Sequence, residues 1–174
     1  MYSRNAYIVL LAGTLVWCVL ILLAPLVVHS NPAISNNLYS FFKPVCHQDD
    51  ARSFHIAGVK FAVCIRCSAI YFSFLVGVLL FPMLRRRTIS LSSRSMWLIA
   101  VVSMLIDVLL DTVGIHASTT WTRTITGGMF GFIAAQLIVP LILQAFTDIA
   151  ALLSYLPAHS PPQSQGRVYG SKTN

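Results

Sequence analysis

The residues of this chain best suited to chemistry are three cysteines and a histidine: Cys46 and His47 in Cys46-His47-Gln48, and Cys64 and Cys67 in Cys64-Ile65-Arg66-Cys67. The residues between them form a loop whose ends can return to one point, so the three thiols can converge. Three cysteines suit disulfides poorly, because one pair leaves a thiol over. Three thiolates and one imidazole instead make a closed tetrahedral zinc site, with His47 or His55 as the fourth ligand. The same residues have plainer readings: Cys64 and Cys67 as a disulfide or redox pair, and His55 as an exposed loop residue. His29 and His159 are expected to be exposed as well, and Cys18 to be a buried small apolar residue in mid-span.

A second set of residues is charged and lies within an apolar run. Asp107 and Asp111 are four residues apart and share one face of a helix. Placing an Asp at the centre of a membrane helix costs roughly 2.5–3.5 kcal/mol, so both should face the bundle interior. Two neighbouring carboxylates in a low dielectric resist ionising together, which predicts a shared proton, with Arg66 and Arg123 as counter-charges from the same side. These four side chains would then line a polar pocket beneath the Cys-His cluster, with Asp107, Arg123 and Arg66 as the candidate catalytic groups. The alternative is a structural ion-pair network that fixes helix packing. All five acidic residues are aspartates. The lack of glutamate excludes the His-Glu-x-x-His zinc proteases, the EF-hand and the zinc deaminases.

These groups need a scaffold, and composition says which. The 174 residues are 56% hydrophobic and only 10% charged, with a mean hydropathy of +0.75; a soluble domain would be about a quarter charged. The expected fold is all-α: a polytopic membrane bundle of about four transmembrane helices, near Tyr7–Val28, Cys64–Leu84, Met96–Ile115 and Ile125–Phe146. Pro140 is expected to kink the last span, and Ile149–Leu156 to form an interfacial helix or an extension of it. The first run is too long for a cleaved signal peptide and reads as a retained anchor. Residues 1–157 make one helical membrane domain, and 158–174, rich in Pro, Ser, Gln and Gly, a disordered cytoplasmic tail. The net charge of +7 is a topology signal and implies no nucleic-acid partner. Arg85, Arg86, Arg87 and Arg94 place the second loop in the cytoplasm, and with it both termini, which carry Arg4, Arg167 and Lys172. The loop with the cysteines is then extracytoplasmic, in a plasma or inner membrane, despite Lys43, Arg52 and Lys60. His116, at the end of the third span, is expected to snorkel. Leu38, Tyr39, Phe41 and Phe42 predict a short amphipathic segment, while Trp97, Trp121 and Tyr71 suit an aromatic belt. Gly127, Gly131, Ala134 and Ala135 form a small-residue stripe expected to pack against another span rather than drive homodimerisation.

Cys46-His47-Gln48, Arg52-Ser53-Phe54, Gly58, Cys64-x-Arg66-Cys67 and Ile70-Tyr71 resemble the signature of a family of small bacterial and archaeal polytopic membrane proteins known as a domain of unknown function. Its second block is matched by Asp107, Ser118, Thr120, Arg123, Thr126 and Gly127. Ala69 and Val108 stand where that family usually has glycine, Asp111 where it often has glutamine, and Thr120 where it often has asparagine. The resemblance runs from about Phe41 to Phe132, and it implies His47 rather than His55 as the histidine ligand. It leaves the reaction open. Three functions compete: a zinc-stabilised protein whose outer pocket binds or processes a lipid or other amphiphile, an extracytoplasmic thiol oxidoreductase, and a small proton- or cation-coupled transporter component. In the first, Arg66 and Arg123 hold an anionic group and Asp107 serves as acid or base. In the second, Cys64 and Cys67 form the redox pair, Arg66 lowers a thiol pKa and Cys46 resolves. The third is disfavoured by only four spans and no internal repeat.

Overall fold

The computed structural model describes residues 4–84, 93–113 and 119–155. The loop arginines Arg85, Arg86 and Arg87, the Arg94 side chain, His116, Ser118, and the tail 158–174 with His159, Arg167 and Lys172 lie outside the described residues.

Five helices and a β-hairpin follow in the order α1 (Arg4–Leu26), α2 (Pro32–Phe42), a 3-10 turn (Asp50–Arg52), β1 (Ser53–Ile56), β2 (Val59–Cys64), α3 (Ile65–Leu84), α4 (Ser93–Thr112) and α5 (Thr120–Tyr155). Four of them, α1, α3, α4 and α5, are long and apolar enough to cross a membrane. Their outer faces carry large apolar side chains such as Ile8, Leu15, Leu79, Leu105 and Leu141, each more than half exposed; such faces require lipid as solvent. The protein is an all-α membrane bundle, with four spans where sequence expects them. α5 runs unbroken through Pro140 and Asp148 to Tyr155, so the apolar stretch after Asp148 is its extension and not a separate helix. At 36 residues α5 is about 54 Å long, well beyond a hydrocarbon core of about 30 Å.

α3 is the central element, packed chiefly on α5 and on α1, while α4 lies against α5. The small-residue stripe explains the α3–α5 contact. A Cβ on Gly127 would sit 2.7 Å from the Arg66 carbonyl oxygen, and one on Gly131 would collide with the Ile70 carbonyl oxygen. Only hydrogen fits there, so the two backbones touch. Cross-links to α3 reinforce the bundle: Tyr7 Oη donates to the Val78 carbonyl at 3.1 Å, and Gln136 Nε2 donates to the Gly77 carbonyl at 3.0 Å.

Core side chains gather in two places. One cluster, of Ala6, Val78, Phe81, Ala135, Val139 and Leu143, joins α1, α3 and α5. The other, built on Ile21, Ala24, Phe42, Cys46, Phe61, Ala62 and Val63, fastens the loop region to the end of α1. α2 is the short apolar segment expected from sequence. Asn31 caps it by accepting from the Ile34 amide at 3.2 Å, and Pro32 starts it. Its buried Ser35 donates to the Ala24 carbonyl at 2.8 Å, satisfying an end of α1. Tyr71, one of the aromatic-belt candidates, packs edge-on to Trp17, with ring centroids 5.6 Å apart.

The close approach of α3 and α5 can be tested by paired substitutions. Gly131→Ala should destabilise the protein in detergent by about 1–3 kcal/mol through overpacking. Gly128→Ala, whose methyl would meet nothing within 4 Å, should leave stability unchanged or raise it by up to about 1 kcal/mol. Equal unfolding temperatures for the two variants would contradict this packing.

Candidate metal centre and its charged surroundings

The loop is shaped by two residues with left-handed backbone. Ala57 and Gly58 have φ of 50° and 80° and turn β1 into β2, where Ile56 pairs with Val59 and His55 with Lys60; both central residues at positive φ make this the hairpin turn that matches strand twist. Gln48, at φ 55°, turns the chain just after Cys46. Its side-chain amide donates to the Tyr39 carbonyl at 2.7 Å and the Ala62 carbonyl at 2.8 Å, and its own carbonyl accepts from Lys60 Nζ at 3.0 Å. Gln48 thus ties the end of α2 to β2 and swings Cys46 back over the strand-to-helix junction, where Cys64 ends β2 and Cys67 stands in the first turn of α3.

The result is a sulfur triad. The ligand atoms of Cys46, Cys64 and Cys67 all lie within 4.8 Å of one another, and all four cysteines are free thiols. Three sulfurs about a tetrahedral zinc would be about 3.8 Å apart at Zn–S of about 2.3 Å, so the triad needs little adjustment to take an ion. Cys46 Sγ accepts from the Cys64 amide at 3.1 Å and the Gln48 amide at 3.5 Å. Hydrogen bonds from the Cys64 and Cys67 thiols, with these amides, hold the Cys46 thiol well below the usual thiol range against the opposing effect of burial. The two amide hydrogen bonds favour the thiolate of Cys46, the form that binds metal. Among the described residues no histidine joins the group. His47 is exposed but lines the same cavity as the sulfurs. His55 points elsewhere, its Nε2 3.4 Å from Asp50 Oδ1. Cys18 is buried in mid-span, its thiol donating to the Tyr71 carbonyl at 3.6 Å.

Beneath the triad lies an ion-pair ladder. Arg66 Nη2 bonds Asp107 Oδ2, which also accepts from Thr126 Oγ1 at 3.4 Å; Arg123 Nη2 bonds both oxygens of Asp111 at 3.2 Å. Arg52, from the loop, reaches Asp111 at 3.6 Å and Asp49 at 3.3 Å. Each intramembrane carboxylate therefore has its own guanidinium, which replaces the proton-sharing pair expected from sequence. The placement runs against helix electrostatics. Arg66 and Arg123 sit in the first turns of α3 and α5, and Asp111 in the last turn of α4, each the unfavourable sign for that helix end by about 0.3–1 kcal/mol. The charges are explained by each other and not by their own helices. Thr119, which accepts from the Thr122 amide at 3.3 Å, caps α5 and sets Arg123 on the turn that faces α4.

Both levels open on one cavity of about 410 Å³, lined by the three cysteines, His47, Asp49, Arg52, Arg66, Arg123 and Val45. Asp107 and Asp111 are absent from this lining and hold their arginines from the α4 side. About one turn deeper, Ile70, Tyr71 and Phe74 of α3 and Phe130, Ala134 and Ile138 of α5 line a second, apolar cavity of about 320 Å³ against α1. Sequence reading missed Gln48 and Arg52 as working parts of the site. Both lie in the motif blocks that carry the family resemblance, which was the signal available.

Comparison with known proteins agrees with that resemblance. Residues 46–138 match the family described as "Predicted membrane protein (DUF2085)". A similar chain is the uncharacterized protein MJ1492 of the archaeon Methanocaldococcus jannaschii, 31% identical over 148 residues that cover 81% of this chain and 95% of the relative. No solved structure matches the chain.

The ladder makes a quantitative forecast. Asp107→Asn or Asp111→Asn leaves a nearly buried guanidinium short of its counter-charge and should cost about 3–5 kcal/mol of unfolding free energy in detergent. Asp148→Asn, at an exposed position of α5, should change it by no more than about 0.5 kcal/mol. Similar values for all three would refute a stabilising ladder.

Proposed function

This chain belongs to the DUF2085 family of membrane proteins, and we propose that it is a metal-dependent membrane protein that binds, and acts on, an anionic amphiphile at the extracytoplasmic face. The convergence of Cys46, Cys64 and Cys67 within ligand distance is the observation that carries the reading. Thiolate ligands in a tetrahedral arrangement select zinc among the common divalent ions. The bound ion clamps the loop to the start of α3, above a cavity where Arg52, Arg66 and Arg123 present guanidiniums, the side chain best suited to phosphate-like or carboxylate groups. Asp107 and Asp111 keep two of these guanidiniums in place. The apolar cavity one turn deeper on the same two helices supports a ligand with a hydrocarbon tail as well as a charged head. The orientation rests on the arginine-rich second loop, which places α3 with its first turn outward.

Metal analysis of the purified protein tests this directly. About one zinc per chain is expected, falling to background in Cys46→Ser and Cys67→Ser and unchanged in Cys18→Ser. A metal-free protein with a reducible Cys64–Cys67 bond would replace the reading with a thiol oxidoreductase. Alkylation by a membrane-impermeant maleimide, with chelator to expose the thiols, should label Cys46 from outside the cell; labelling only from the cytoplasmic side would invert the topology.

A further inference from the structure

We infer that the metal site is open: the ion takes three thiolates from the protein, and its fourth position, turned into the arginine-lined cavity, takes an oxygen of a phosphate-type anion. The inference rests on the metal reading above and goes beyond the closed four-ligand site expected from sequence.

Three observations converge on it. The sulfur group contains Cys46, Cys64 and Cys67, and no fourth His, Cys or Asp among the described residues joins it. A zinc ion with three protein ligands keeps a fourth position for an exogenous ligand, the arrangement of reactive rather than structural zinc. All three cysteines line the cavity, and its volume of about 410 Å³ exceeds the roughly 30 Å³ share of a water molecule more than tenfold, leaving room for a ligand of several heavy atoms beside the ion.

Hydrogen-bond donors select the ligand. A divalent ion with three thiolates carries one net negative charge, and Asp49 adds another. The three guanidiniums on the same lining are balanced by their carboxylates, so an anion is held there by directed N–H donors and not by a net positive charge. Asp107 and Asp111 lie behind Arg66 and Arg123, so an incoming anion meets the arginines first. Arg66 also carries a buried Nε–H with no acceptor among the described residues. A buried donor of this kind destabilises the protein unless it is satisfied. An oxyanion with one oxygen on the metal and others on the arginines completes both the ion's coordination and the guanidinium fork. No bond is made or broken in this step beyond coordination. The oxygen enters the fourth position and displaces water.

The test uses the full chain in detergent, loaded with Co²⁺ in place of zinc so that ligand-field bands in the visible report the coordination sphere. Addition of inorganic phosphate, or of dioleoyl phosphatidate mixed into the micelles, should shift those bands saturably. Half-saturation should rise at least about tenfold in Arg66→Gln, the loss expected for a charged hydrogen bond. Arg52→Gln, at a half-exposed position, removes a contact to Asp111 but leaves the Arg66–Asp107 and Arg123–Asp111 pairs in place, and gives the same direction should Arg66→Gln fold poorly. His47→Ala should keep the wild-type cobalt bands. A shift with phosphatidate at concentrations where phosphate gives none identifies a lipid headgroup as the source; equal shifts identify free phosphate. Bands indifferent to both anions, or bands altered by His47→Ala, would show a site closed by protein and overturn the inference while leaving the metal reading intact. Failure to take up cobalt at all would overturn both.

Discussion

The structure depends on neutralising charge inside a membrane. Asp107 and Asp111 project from α4, which packs on α5 through contacts such as Trp97 edge-on to Phe130 but whose buried positions among the described residues are only Ala100 and Asp107. Apolar faces of membrane helices gain nothing by leaving lipid for protein, so the hydrophobic effect cannot dock this helix. The ion pairs supply what burial cannot. A carboxylate in hydrocarbon must find a cation, and Arg66 and Arg123 stand at the starts of α3 and α5, on the side where α4 ends. Since Arg66, Arg123 and Asp111 each have the wrong sign for their own helix end, no single helix favours the arrangement; it exists only when α3, α4 and α5 are assembled. Thr126, on α5, contributes a hydroxyl to Asp107, so the carboxylate of α4 is held by both neighbours at once.

That assembly in turn requires close backbones. Gly127 lies under the Arg66 carbonyl, so the residue that brings α5 close to α3 is also the one beneath the arginine at the cavity floor. The sulfur triad rests on the same junction. Cys64 ends the hairpin and Cys67 belongs to the first turn of α3, so the hairpin, the helix start and the loop turned by Gln48 are positioned together. An ion held there would couple the cysteine loop to the ion-pair ladder through a few residues. Arg52 already does so, linking Asp49 of the loop to Asp111 of α4.

Much of this was legible in the residues. Long apolar runs fixed the spans because membrane insertion sums local hydropathy, and the stripe of Gly127, Gly131, Ala134 and Ala135 announced a close helix contact because small residues have few other uses in such a span. The convergence of Cys46 with Cys64 and Cys67 was also readable, since odd thiols separated by a loop seek a common partner. The hairpin was not. Its turn uses Ala57 at positive φ rather than Asn or Asp, so the usual signal is muted. Of the two readings of Ile149–Leu156, an interfacial helix or an extension of the last span, the extension is what forms: α5 continues through Pro140 and Asp148 to Tyr155, and proline is tolerated in such a span.

Sequence alone determined that the chain is a four-span membrane bundle with a thiol cluster and two carboxylates in need of counter-charge. These are properties of composition and local periodicity. Only the tertiary structure decided which arginine serves which aspartate, that Arg52 joins them, and that His47 lies beside the sulfur triad rather than within it. The physical reason is that burying a charge or gathering thiolates obliges a partner to exist without naming it. The partner is chosen by distances of a few ångströms, and those follow from how closely α3 and α5 touch and how the loop folds back across them.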